Sequence, residues 1–146
     1  MSVEAQNEAV IRRWIEEGWN QKKPELVDEL MAEDVVAHGM GPHGTDLSGR
    51  GAFRSAYDIF VSVFPDLHLT IDHMMSSGEM VASHMTCEAT HAGDALGVPG
   101  SGARVRFPVM TMARVQDGRI TEGWNVIDLL AALQQAKAVQ VSTALP

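Results

Sequence analysis

The hydrophobic period changes from helical to two at Pro65, and that change constrains the fold more than any other feature of the 146-residue sequence. Before it, apolar residues recur at helical spacing: Ile11, Trp14, Ile15, Gly18 and Trp19 between Glu4 and Asn20, then Phe53, Tyr57, Phe60, Val61 and Phe64 up to the proline. After it the period is two. Leu67, Leu69 and Ile71 alternate with His68, Thr70 and Asp72, and long alternating runs follow over 80–92, 103–115 and 119–127. Ser76-Ser77-Gly78-Glu79 and Gln116-Asp117-Gly118 supply turns between them. A chain that is helical first and strand-forming afterwards predicts an α+β domain, with helices packed on one face of an antiparallel sheet. Such a sheet, twisted and covered on one side, curves around a cavity.

Smaller signals fill in the order. Ser2 is placed to cap the first helix, and Pro24 suits the first turn of a second helix carrying Leu26, Val27, Leu30 and Met31. Val35 to His38 reads as a short strand, followed by a glycine-rich loop able to cover a pocket. Ser48 is positioned to cap the third helix, and Pro108 inside an alternating run implies an edge or a bulge. Asp128 opens a last helix through about Ala138. One domain over 1–138 is expected, with 139–146 a tail that has little reason to be ordered.

Charge and cysteine content narrow the partners. Nineteen acidic against eleven basic residues give a net charge of −8, which works against a phosphate-binding surface and so against nucleic acid. No run of about 20 apolar residues is present to span a bilayer, and the start lacks the basic and apolar regions of a signal peptide. With Cys87 the single cysteine, no intrachain disulfide forms; a cytoplasmic location is expected. The histidines show no His-x-His and no His-Glu-x-x-His spacing, and the one cysteine has no partner, so a metal is not expected.

Three segments carry a family resemblance: Val36-Ala37-His38; residues 89–99, Ala-Thr-His-Ala-Gly-Asp-Ala-Leu-Gly-Val-Pro; and residues 117–128, Asp-Gly-Arg-Ile-Thr-Glu-Gly-Trp-Asn-Val-Ile-Asp. From about Glu4 to Lys137 the chain resembles the SnoaL-like polyketide cyclases, within the nuclear-transport-factor-two-like superfamily of cone-shaped domains. It departs from the family at Gln134-Gln135-Ala136, where a Leu-Gly usually follows the glutamine. The resemblance implies a curved antiparallel sheet wrapped around helices and cofactor-free aldol-type ring closure of an aromatic, polyketide-like substrate. It also implies an aspartate after the last strand's Trp as the acid/base, by position Asp128.

Ring closure requires a base to take a proton between two carbonyls and an acid to protonate the receiving oxygen. One carboxyl does both if burial raises its pKa. Trp124, Val126, Ile127, Leu129 and Leu130 around Asp128 are consistent with that; the competing reading is a helix cap. His91, beside the second glycine-rich loop, and His38, whose ring the resemblance directs to the same cavity, are the other catalytic candidates. Trp124, Phe60, Phe64 and Phe107 are candidate walls for a flat hydrophobic ligand, and Glu88 is a rival carboxylate if its strand face is concave. The position of Tyr57 on the third helix disfavours a ketosteroid-isomerase-like site, and no Arg-x-Asp strand motif supports an epoxide-hydrolase-like one. The alternative is a non-catalytic module of the same fold that holds a ligand or dimerises. A homodimer fits both readings, since a sheet face bearing Met110 and Met112 would otherwise be a sticky patch.

Overall fold

The computed structural model describes residues 1–140; most of the expected tail lies outside them. The first helical pattern forms α1 (Val3–Arg13), capped by Ser2 Oγ on the Ala5 N–H, and runs on as a π-helical segment (Trp14–Asn20). Gly18 permits this, because the Trp14 indole lies against its α-carbon where any side chain would collide. The short α2 (Leu26–Leu30) leads into β1 (Met31–His38), longer than the expected strand by four residues. Ser48 does not cap the next helix: it lies in the two-residue β2 (Leu47–Ser48), and Gly49, at φ 89°, makes the entry to α3 (Arg50–Val63). Strands β3 (His68–Ser77), β4 (Met80–Thr90), β5 (Arg104–Gln116) and β6 (Arg119–Ile127) follow, then α4 (Leu129–Gln135).

The six strands form one sheet in the order β2-β1-β6-β5-β4-β3. Every pairing is antiparallel except β1 with β6, which is parallel. The fold class is thus the α+β expected, with one parallel joint that hairpin counting does not reveal. Asp117 and Gly118 turn β5 into β6 with both φ values positive (51° and 75°), the primed geometry that matches strand twist.

The inward face of β4 carries Val81, Ser83, Met85, Cys87 and Ala89, all buried, and that of β5 carries Val105, Phe107, Val109 and Ala113. Against them pack Ile11 and Trp14 of the first helical stretch and Phe53 and Tyr57 of α3. The Tyr57 hydroxyl donates to the Gly18 carbonyl at 2.8 Å, tying α3 to the π-helical turn.

Pro108 sits in a central strand without breaking it. Its carbonyl accepts from the Asp128 N–H at 3.3 Å, where β6 has just ended, so no ladder donor is missing. Beyond that point the Gln135 amide pairs both Arg106 backbone groups, Oε1 with the N–H at 2.8 Å and Nε2 with the carbonyl at 2.7 Å. The helix-end glutamine thereby takes the place of a strand neighbour.

Two bulges set which side chains face in. β3 shifts register between Ile71 and His73, so that His73 joins Asp72 on the outer face and alternation flips after it. In β6, Ile120 opposes Val115 but Glu122 opposes Arg114, so Thr121 is the extra residue and alternation flips after it.

Candidate functional site

Between the sheet and the helices lies one well-formed apolar cavity of about 120 Å³, with walls supplied by Trp14, Trp19, Met40, Phe60, Phe64 and Phe107 among others. At roughly 10–15 Å³ for each minimal water site, this is room for about ten waters. Three of the sequence candidates, Phe60, Phe64 and Phe107, are among its lining residues.

The polar side chains on its wall are few. Thr111 on β5 and Asn125 on β6 are direct cross-strand partners on the inward face. The Asn125 amide is oriented from behind: its Nδ2 donates to the His38 carbonyl at 3.0 Å, which turns Oδ1 the other way. Cys87 also lines the cavity, and burial pushes its thiol up to about 12, so it stays protonated and inert. Gly123 leaves a gap in the wall, where an added Cβ would meet Asn125 Nδ2 at 3.7 Å and the Met112 carbonyl at 3.9 Å, ordinary contact distances.

The three catalytic candidates do not converge on this cavity. Asp128 is exposed and not among the lining residues; its Oδ1 accepts from the Ala131 N–H at 3.0 Å, the helix-cap arrangement. The expectation of a sheltered carboxyl is not met in this geometry, because the Thr121 bulge gives Asp128 the outward parity of Trp124 and Val126 and leaves Gly123, Asn125 and Ile127 facing in.

His38 and Trp124 also point outward, for the matching reason on β1, where Val35 and Ala37 take the buried positions. Their rings stack at 5.3 Å between centroids. His38 Nε2 lies 2.7 Å from Glu122 and Nδ1 3.0 Å from Asp46, and these two carboxylates raise its pKa, Glu122 foremost. His91 is fully buried, its Nδ1 bonded to Ser101 Oγ at 2.9 Å across the base of the 93–102 loop and its Nε2 without a partner among the described residues. It packs on Phe64 at 6.2 Å instead of lining the cavity.

Glu88 stands exposed on the outer face, 3.9 Å from Arg104 and 3.8 Å from Arg106, so it is a solvated carboxylate and not part of the wall. Among the described residues no cluster of three His, Cys, Asp or Glu is arranged to hold a metal, and no helix is long and apolar enough to cross a membrane. Sequence reasoning did not single out Asn125 or Thr111 as site residues; alternation puts Thr111 on the side of Val105, Phe107 and Val109, while only the register shows which face Asn125 takes.

The family model for SnoaL-like polyketide cyclases matches residues 9–136. The chain belongs to this family. Aklanonic acid methyl ester cyclase DauD of Streptomyces sp. (strain C5) is 25% identical over 127 residues, covering 86% of this chain and 78% of DauD. Among solved structures, wild-type IdmH of Streptomyces antibioticus, assigned as a polyketide cyclase, is 29% identical with a TM-score of 0.79, covering 90% of this chain and 99% of its own. A Jannaschia sp. CCS1 protein assigned to the SnoaL-like cyclases superposes with a TM-score of 0.86 at 23% identity, covering 96% of this chain and 97% of its own. That last likeness concerns the fold. Membership in the SnoaL-like family supports a polyketide-cyclase-type function.

Proposed function

We propose that this SnoaL-like protein binds a hydrophobic, polyketide-like molecule in the cavity and closes a ring in it by an aldol step without a cofactor. The observation that carries the reading is the Thr111–Asn125 pair, a single polar spot in an otherwise apolar hollow. A planar apolar ligand gains from burial against Phe60, Phe64 and Phe107, and a few placed polar groups fix its orientation. The aldol step forms one carbon–carbon bond: a base takes the proton between two carbonyls, the carbanion adds to a third carbonyl, and that oxygen receives the proton back.

Asp128 is the carboxylate we assign to the proton transfers. It follows Ile127, which lines the cavity, and its cap uses Oδ1 alone. A substrate that reaches past Ile127 brings its reacting carbon to this group. His91 and His38 then hold the flanking loops and make no contact with substrate. In our reading this protein acts as a homodimer, with the outer sheet face around Met110, Met112 and Val126 as the contact, and in a cytoplasmic setting where Cys87 stays reduced.

A second reading has its own observation. No carboxylate or imidazole lines the cavity among the described residues, which favours a module that holds its ligand without converting it. Turnover of an aromatic polyketone able to cyclise, by wild type and Asp128→Asn, separates the two. Loss of about a hundredfold or more in rate with unchanged binding supports catalysis, in keeping with the usual contribution of one acid/base group. Undiminished turnover removes Asp128 from the mechanism, and binding without any turnover by wild type establishes the module.

A further inference from the structure

The polar spot continues beyond the cavity wall. Register places Ser83 of β4 opposite Thr111 of β5, and Thr111 opposite Asn125 of β6. All three side chains stand on the inward face, so they form one row across three adjacent strands. Directly opposed residues have Cβ atoms about 4.5–5.5 Å apart, which gives the row a length of roughly 10 Å. Every neighbour of the row on that face is apolar: Val81 and Met85 flank Ser83, and Val109 and Ala113 flank Thr111.

A polar row in a hydrophobic interior normally satisfies itself, because an unpaired hydroxyl there gives up its hydrogen bonds to water and gains none in return. This one does not. Ser83 is 2% exposed and its Oγ has no hydrogen-bond partner among the described residues. At the other end the His38 carbonyl takes one of the two Asn125 amide N–H donors, which leaves Oδ1 to accept and the second N–H to donate. The row therefore offers both donors and acceptors, with rotatable hydroxyls at Ser83 and Thr111.

We infer that Thr111 and Asn125, backed by Ser83, form a hydrogen-bonding rail that favours ligands carrying a hydroxyl, a phenol or an enol, at that edge. This rests on the cavity being the substrate site and adds which chemical group the site reads. A hydroxyl donates to Asn125 Oδ1 and accepts from the Thr111 hydroxyl or the second Asn125 N–H, whereas an ether oxygen only accepts and forfeits half of the match. Ser83 stands behind the wall and acts on the ligand through its cross-strand partner Thr111.

Equilibrium dialysis of the purified protein against 2-naphthol, 2-methoxynaphthalene and naphthalene tests the rail without requiring any turnover. Wild type is expected to hold 2-naphthol about tenfold more tightly than the methyl ether or the bare hydrocarbon, the size of one net hydrogen bond. Asn125→Leu and the near-isosteric Thr111→Val should bring the ratio of 2-naphthol to naphthalene affinity below threefold. Ser83→Ala, which deletes an unpartnered buried hydroxyl, should lower that ratio while leaving the melting temperature of the free protein equal or higher. A wild-type ratio near one, or a ratio that none of the three variants moves, overturns the rail while the cavity remains a ligand site. Absence of naphthalene binding at any concentration up to its solubility overturns both.

Discussion

His38 and Glu122 are joined on the outer face of the sheet, Nε2 to carboxylate at 2.7 Å, across the one parallel joint between strands. Asp46 takes the other ring nitrogen at 3.0 Å, so the imidazole clasps the loop after β1 to β6. Both carboxylates raise the His38 pKa above its ordinary value, Glu122 first. A group whose pKa is raised on folding contributes stability in full below its unfolded value, about 6.5, and loses it as the pH rises through the folded value. Glu122→Gln should therefore lower the melting temperature more at pH 5.5 than at pH 8.5. The Arg114 contact to Glu122 at 3.8 Å is present at both, so some difference persists in base. A melting-temperature gap independent of pH would show that the clasp carries no proton-linked stability.

The same region shows how far the sequence could be read. Hydrophobic period alone locates β3 to β6 and the helices before them, because burial on one face demands that pattern. It does not locate a bulge. Counting by twos from Ile120 puts Glu122, Trp124, Val126 and Asp128 on the inward face, and the resemblance implies a site role for the last of these. One extra residue at Thr121 reverses it and brings Asn125 inward instead. The parallel pairing of β1 with β6 was equally invisible, since a short strand carries no mark of its partner's direction.

Asp128 makes two roles separable, since Asn serves as an N-cap about as well as Asp does. Its Oδ1 bond to the Ala131 N–H would survive in Asp128→Asn through the amide oxygen. Chemical denaturation should place Asp128→Asn within about 0.5 kcal/mol of wild type and Asp128→Ala about 1 kcal/mol below it. Equal losses in both variants would mean that the negative charge, not the cap, holds the start of α4.

Gly123 is where the cavity can be filled at little strain. Its added Cβ has no neighbour closer than 3.7 Å, and the residue is not among the glycines with positive φ. Gly123→Ala should be neutral or stabilising by up to about 1 kcal/mol, because alanine reduces the freedom of the unfolded chain. Gly123→Leu places its branch among the lining side chains and should weaken binding of an aromatic probe such as naphthalene by tenfold or more, read by equilibrium dialysis. Unchanged affinity in the leucine variant would move the ligand site elsewhere.

Met110 and Val126 oppose each other on neighbouring strands of the outer face, 56% and 72% exposed. With Met112, 42% exposed on the same strand as Met110, they make an apolar surface on the side of the sheet that no helix covers among the described residues. Open sheet faces of this kind are disfavoured in water, and a second copy meeting the first face to face would bury both patches by one two-fold contact. Light scattering after size exclusion should give twice the chain mass for wild type. Met110→Lys with Val126→Lys sets two like charges directly opposite each other within each copy and four at the shared contact, and should give the single-chain mass. The cavity lies on the other side of the sheet, so a probe that binds it should keep its affinity in the monomeric variant. A wild-type protein that runs as a monomer at micromolar concentration would leave this face without the partner proposed for it.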